Sequence, residues 1–218
     1  FPDMPLPNDL DIKGRLDTSL TFQDQEGRKI IVISSVTKGE FYSPGYQSQL
    51  WAYCYRQGES WEQLWEIKEF NREIWEGVDY LDGSLIVTDI DGDNLAESAF
   101  LYEIAPDGLD PARVKLMHHV YNKKYAIRGE LGVEPESFNE QEVKRIDPAY
   151  AELAPEMKTF ASEQWDTYRN WLFAFLTDAL SEEEQGKYWD KPYEPAEIHR
   201  VSGTSRRQEQ GSFEKYKT

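Results

Sequence analysis

Sulfur and imidazole chemistry are nearly missing from this chain of 218 residues, which holds one cysteine and three histidines. A lone Cys54 rules out an internal disulfide, and its place between Tyr53 and Tyr55 marks a buried structural thiol rather than a nucleophile. His118 and His119 are neighbours in an extended stretch, so their side chains leave on opposite faces and cannot chelate one ion together. His199 has no Cys or second His at ligand spacing, which leaves zinc without a ligand set. Equally absent are a phosphate-binding glycine loop, a dinucleotide fingerprint and a Gly-x-Ser-x-Gly elbow. Positive charge is scarce: 24 Lys plus Arg face 41 Asp plus Glu, and a net charge of −17 repels nucleic acid phosphates and anionic membrane surfaces. No apolar run approaches the roughly 18 residues that a membrane span needs, so the chain carries no transmembrane segment of that kind.

Short alternating segments separated by turn residues fill the chain from about residue 16 to 130. Leu20 to Gln23 and Lys29 to Ser34 flank Asp24-Gln25-Glu26-Gly27, while Gln49 to Arg56 and Trp61 to Lys68 flank Gln57-Gly58-Glu59-Ser60. Each reads as a hairpin. Leu50, Ala52 and Cys54 face one side of their strand and Trp51, Tyr53 and Tyr55 the other, which predicts a strand covered on both faces or one with an aromatic face in use. Trp61, Leu64, Trp65 and Lys68 fit a helical stripe as well as a strand, and the hairpin context favours strand. A last hairpin is predicted from Arg113 to Arg128 across Asn122-Lys123. Pro155 then opens an amphipathic helix whose apolar positions run Met157, Phe160, Ala161, Gln164, Trp165, Tyr168, Trp171, Leu172, Phe175, Leu176 and Ala179.

One stretch makes a chemical demand. Asp89-Ile90-Asp91-Gly92-Asp93-Asn94-Leu95-Ala96-Glu97 places carboxylates at positions 1, 3, 5 and 9 of a nine-residue loop. Carboxylates held about 4 Å apart repel by roughly 4 kcal/mol per pair at an effective dielectric near 20, so such a loop wants a cation. Oxygen-only donors select a hard ion, and four carboxylates displace more water than magnesium surrenders, which selects Ca2+. Side-chain oxygens are expected from Asp89, Asp91, Asp93 and Glu97, with the backbone carbonyl of Leu95 as a further ligand. Counting from Asp89, positions 6 and 12 hold Asn94 and Phe100, which excludes an EF-hand. With every carboxylate occupied in holding the ion, the site reads as a structural clamp with no catalytic residues.

The acidic loop together with Phe100-Leu101-Tyr102, Lys115-Leu116-Met117 and Lys123-Lys124-Tyr125-Ala126-Ile127-Arg128-Gly129 resembles a bacterial family labelled surface polysaccharide biosynthesis protein. Relatives in that family usually carry Gly where Asn94 stands, and commonly a Cys near Ile104 to Pro106 where this chain has none. The loop alone is also similar to the calcium hairpins of integrin-type propeller repeats. The family resemblance implies a cell-envelope setting and names no reaction.

These observations predict an α+β fold: a mainly antiparallel twisted β-sheet of about eight strands with a long C-terminal amphipathic helix packed on it. The expected organisation is an extended lead over 1–15, a single domain over 16–180 with its β-rich part at 16–130, and a polar, irregular extension over 181–218. The opening Phe1-Pro2-Asp3 suggests that a signal peptide or lipoprotein leader has been removed. The expected function is that of an exported, calcium-stabilised, noncatalytic envelope or surface protein binding a glycan or an envelope protein. The alternative is an envelope enzyme acting on surface polysaccharide.

Overall fold

Alternation and turn chemistry produce the hairpins. The computed structural model describes residues 6–107, 110–132, 143–179 and 203–207, with backbone alone for 175–179 and 203–207. The strands are β1 (Arg15–Asp24), β2 (Gly27–Lys38), β3 (Gln47–Gln57), β4 (Trp61–Phe70), β5 (Glu76–Tyr80), β6 (Ile86–Thr88), β7 (Glu97–Pro106), β8 (Ala112–Val120), β9 (Lys123–Leu131), β10 (Val143–Ile146) and β11 (Gly203–Arg207). A 3-10 turn at Pro148–Glu152 precedes the single described α-helix, α1 (Pro155–Ala179). The class is α+β, as predicted. Among the described residues no helix is long and apolar enough to cross a membrane.

The strands do not form one sheet, as the sequence reading expected, but two. The first has the order β11-β1-β2-β3-β4; the second has the order β10-β9-β8-β7-β5, with β6 paired to β7, and every pairing is antiparallel. Apolar residues on both faces of the central strands require this split, because each face must be covered. Ile31, Ile33, Leu50, Ala52, Cys54 and Ile67 of the first sheet meet Val78, Phe100, Tyr102, Ile104, Met117 and Ala126 of the second in a shared core. The outer face of the second sheet, with Leu101, Val114, Leu116, Tyr125 and Ile127, is covered by Met157, Phe160, Ala161, Trp165 and Tyr168 of α1.

On the outer face of the first sheet, Ile30, Val32, Trp51, Tyr53 and Tyr55 are buried beneath Leu6, Leu10 and Ile12 of the N-terminal lead. The Tyr53 hydroxyl accepts from the Lys13 amide at 3.3 Å and the Tyr55 hydroxyl donates to the Asp11 carbonyl at 2.9 Å. The described part of the lead turns locally, with the Leu10 amide donating to the Pro7 carbonyl and the Ile12 amide to the Leu10 carbonyl, and it serves as a lid on the aromatic face of β3. That strand is covered on both sides. Trp61 and Trp65 are half-buried, and Trp75 is exposed.

A register shift between Cys54 and Tyr55 in the β3–β4 pairing resolves the ambiguous Trp61 to Lys68 segment. It is a strand with an irregularity at Leu64, which turns both Leu64 and Trp65 toward the inter-sheet core and so imitates helical spacing. The β8–β9 turn is Tyr121-Asn122, one residue earlier than predicted, since Val120 pairs with Lys123. Along α1 the apolar stripe is buried from Met157 to Tyr168, while Trp171 and Leu172 are half-buried at the margin of the core. The side chain of Phe175 lies outside the described residues. The irregular extension predicted over 181–218 is corrected at 203–207, where β11 adds to the edge of β1 in the register Thr18↔Arg207 to Phe22↔Gly203. Backbone donors and acceptors along an open edge strand favour a partner strand whatever its side-chain pattern, which is why composition hid it.

Candidate metal centre

The acidic loop joins β6 to β7, whose last pair before it is Thr88↔Glu97. Its turns are local. The Asp93 amide donates to Asp91 Oδ1 at 3.2 Å, the Leu95 amide to Asp93 Oδ1 at 2.8 Å and the Asn94 amide to Asp89 Oδ2 at 3.0 Å. Asp91 and Asp93 fold back onto amides two residues ahead and Asp89 onto the amide five ahead, which winds the loop into a tight coil. Gly92 and Asn94 take left-handed φ values of 75° and 67°, a conformation that Asn tolerates better than most residues with a side chain.

Three of the predicted ligands converge. One oxygen from each of Asp89, Asp91 and Glu97 lies within 4.8 Å of the other two. Asp93 is not in this group: its Oδ1 holds the Leu95 amide and its Oδ2 accepts from the Tyr121 hydroxyl at 2.7 Å. Leu95 is placed by the same turn, and its amide is already committed to Asp93.

Glu97 is the most telling member. It is 0% exposed, its Oε2 accepts from the Ile90 amide at 2.7 Å, and its Oε1 has no hydrogen-bond partner among the described residues. Asp89 Oδ1 is buried in the same condition. Burial, with the charges of Asp91, Asp89 and Asp93 adding to it, pushes the Glu97 carboxyl up to about 7. The Asp93 carboxyl is held below its usual range, first by the hydrogen bond from Tyr121 and then by that from the Leu95 amide.

Two neighbouring hairpins grip the loop. From the β1–β2 turn, the Gln25 amide donates to the Asn94 carbonyl at 2.8 Å, and Asp24 Oδ2 accepts from the Ala96 amide at 3.2 Å. Asp24 is itself paired with the buried ammonium of Lys29 at 2.7 Å. From the β8–β9 turn, Tyr121 reaches Asp91 Oδ2 at 3.1 Å as well as Asp93. The sequence reading missed both Asp24 and Tyr121. Ile90 packs against the helix-side core and Ala96 against the inter-sheet core, so the loop straddles the edge where the layers meet.

The other candidates have structural places. His118 and His119 point to opposite faces, as predicted: His118 sits among Tyr125, Tyr150 and Phe160, and His119 stacks on Trp65 with ring centroids 3.9 Å apart. Burial pushes them down to about 4 and about 3, so both are neutral at pH 7. Cys54 is buried and its thiol is pushed up to about 12, chiefly by burial, which removes it as a nucleophile. Compared with family models, curated proteins and solved structures, the chain matches none.

Proposed function

We propose that this chain is a calcium-stabilised, noncatalytic protein of the cell envelope or cell surface, in which Asp89, Asp91 and Glu97 hold Ca2+ with Asp93 and the Leu95 carbonyl as the remaining protein contributions. The observation that carries the reading is the buried Glu97 Oε1, without a hydrogen-bond partner among the described residues and grouped with oxygens of Asp89 and Asp91. A fully buried carboxylate oxygen beside two further carboxylates is costly unless a proton or a cation compensates it. A divalent cation compensates all three at once. The ligands are oxygen only, which suits calcium. The loop lies between hairpins that grip it with hydrogen bonds, a setting that favours a clamp over a reaction centre.

Loops of this charge and size fill at the millimolar calcium found outside the cytoplasm, and the resemblance to a surface polysaccharide family supports an envelope location. A glycan or an envelope protein is the proposed partner, and the charge of −17 weighs against nucleic acid. With a dissociation constant of about 0.1 mM and free calcium near 2 mM, mass action stabilises the fold by roughly 1.8 kcal/mol. Melting temperature should rise by about 4 to 7 °C from chelator to excess calcium, and Asp91→Ala with Asp93→Ala should abolish the rise. Equal melting temperatures in all four samples remove the calcium site. Calcium-dependent hydrolysis of an envelope glycan by the protein overturns the noncatalytic reading.

A further inference from the structure

We infer that Tyr121 is a positioning residue for the cation loop: its phenol, delivered from another hairpin, holds Asp91 and Asp93 in the arrangement that accepts a divalent cation. The inference rests on the calcium reading above and adds to it a residue from outside the loop.

The backbone at Tyr121 supplies the first reason. Tyr121 and Asn122 form a two-residue hairpin turn with φ values of 50° and 61°, both left-handed. Turns of this kind favour Asn, Asp and Gly, and a bulky aromatic residue at positive φ is uncommon. Asn122 answers the turn's demand and Tyr121 runs against it. The ring is also 55% exposed, so burial in a core does not account for it.

The side chain supplies the second reason. Asp91 and Asp93 each have one oxygen fixed inside the loop, Asp91 Oδ1 by the Asp93 amide and Asp93 Oδ1 by the Leu95 amide. The remaining oxygen of each meets the Tyr121 hydroxyl, at 3.1 and 2.7 Å. The single hydroxyl proton, shared between the two at these distances, ties Asp91 to Asp93 and helps hold Asp91 in the group it forms with Asp89 and the buried Glu97. A hydroxyl donates a hydrogen bond without bringing a charge that would oppose the ion. A lysine at the same point would compete with it. Lys123, two residues on, is directed elsewhere: its ammonium pairs with Glu152 at 2.7 Å and lies 5.3 Å from the centre of the Tyr125 ring. Partners that orient metal ligands from outside typically change affinity by about 10- to 100-fold when removed.

The test uses the full chain, calcium titrated calorimetrically, and melts in chelator, for wild type, Tyr121→Phe and Tyr121→Asn. Tyr121→Phe keeps the backbone and ring and removes the hydroxyl; it should bind calcium about 10- to 100-fold more weakly while its melting temperature in chelator stays within about 2 °C of wild type. Tyr121→Asn should lose affinity equally and melt no lower in chelator, because Asn suits the left-handed turn. A residue that merely braced the hairpin would move the chelator melt and leave the affinity alone, and that result overturns the inference, as does wild-type affinity in Tyr121→Phe. Wild type that binds no calcium removes the calcium reading and this inference together; wild type that binds while Tyr121→Phe binds equally removes this inference alone.

Discussion

His118 shows what burial does to a single side chain. Both of its ring nitrogens lack hydrogen-bond partners among the described residues, and its neighbours Tyr125, Tyr150 and Phe160 present aromatic rings. The folded chain therefore refuses a proton that the unfolded chain accepts below pH 6.5. Stability contributed by keeping His118 neutral is complete above 6.5 and falls as pH drops toward about 4, below which the loss levels off. The loss is on the order of 3 kcal/mol at most. His118→Leu should remove this part of the acid limb and cost little at pH 7, since it replaces two desolvated nitrogens by an apolar side chain of similar volume. Denaturant titrations from pH 7 to pH 3 check it, and an unchanged acid limb would show that His118 does not titrate with unfolding. The neutrality of His118 and His119 has no local signature, because a strand sequence does not say which layer will cover each face.

For the helix and the strand beneath it, the deciding contact is at Gly129. A Cβ built there would stand 2.3 Å from the Val143 carbonyl oxygen and 2.6 Å from the Trp165 ring, closer than side chains approach. β9 can thus lie against β10 and under Trp165 only because this position has no side chain. One of the two neighbours is backbone and cannot swing away. Gly129→Ala should destabilise by about 1 to 3 kcal/mol through overpacking, seen as a lower urea midpoint with an unchanged slope. A wild-type midpoint would mean that α1 shifts off β9 at little cost. The helix itself was legible from the spacing of Met157, Phe160, Ala161, Gln164, Trp165 and Tyr168, all of which are buried. Burial then weakens toward Trp171 and Leu172, which pack against the margin of the same core.

Across the whole molecule, the first sheet is closed on the β1 side by β11, which pairs through Thr18 to Phe22. A chain ending before Gly203 would leave those backbone groups open, and an unpaired edge is a template for another chain. Such a truncation should self-associate more than the full chain as concentration rises, read by sedimentation velocity. Identical sedimentation of the two would show that the β1 edge is protected without β11.

What the sequence determined by itself is what contiguous residues encode. Alternation and Gly- or Asn-bearing turns set the hairpins, a 3.6-residue period set α1, and the spacing of the acidic loop brought Asp89, Asp91 and Glu97 together, though not Asp93. Even the left-handed Asn94 was readable, since few other residues tolerate that backbone. Only the tertiary structure decided that the strands divide into two sheets, that Leu6, Leu10 and Ile12 cover the aromatic face of β3, and that Asp24 and Tyr121 meet the acidic loop across separations of 72 and up to 30 residues. An aromatic residue in a tight turn was the one available sign of Tyr121, and nothing local named its partner. The physical reason is that local conformation depends on sterics and periodicity within a few residues. Pairings between distant hairpins are chosen by small differences in buried area and hydrogen bonding among many chain arrangements, and those differences exist only once the layers are assembled.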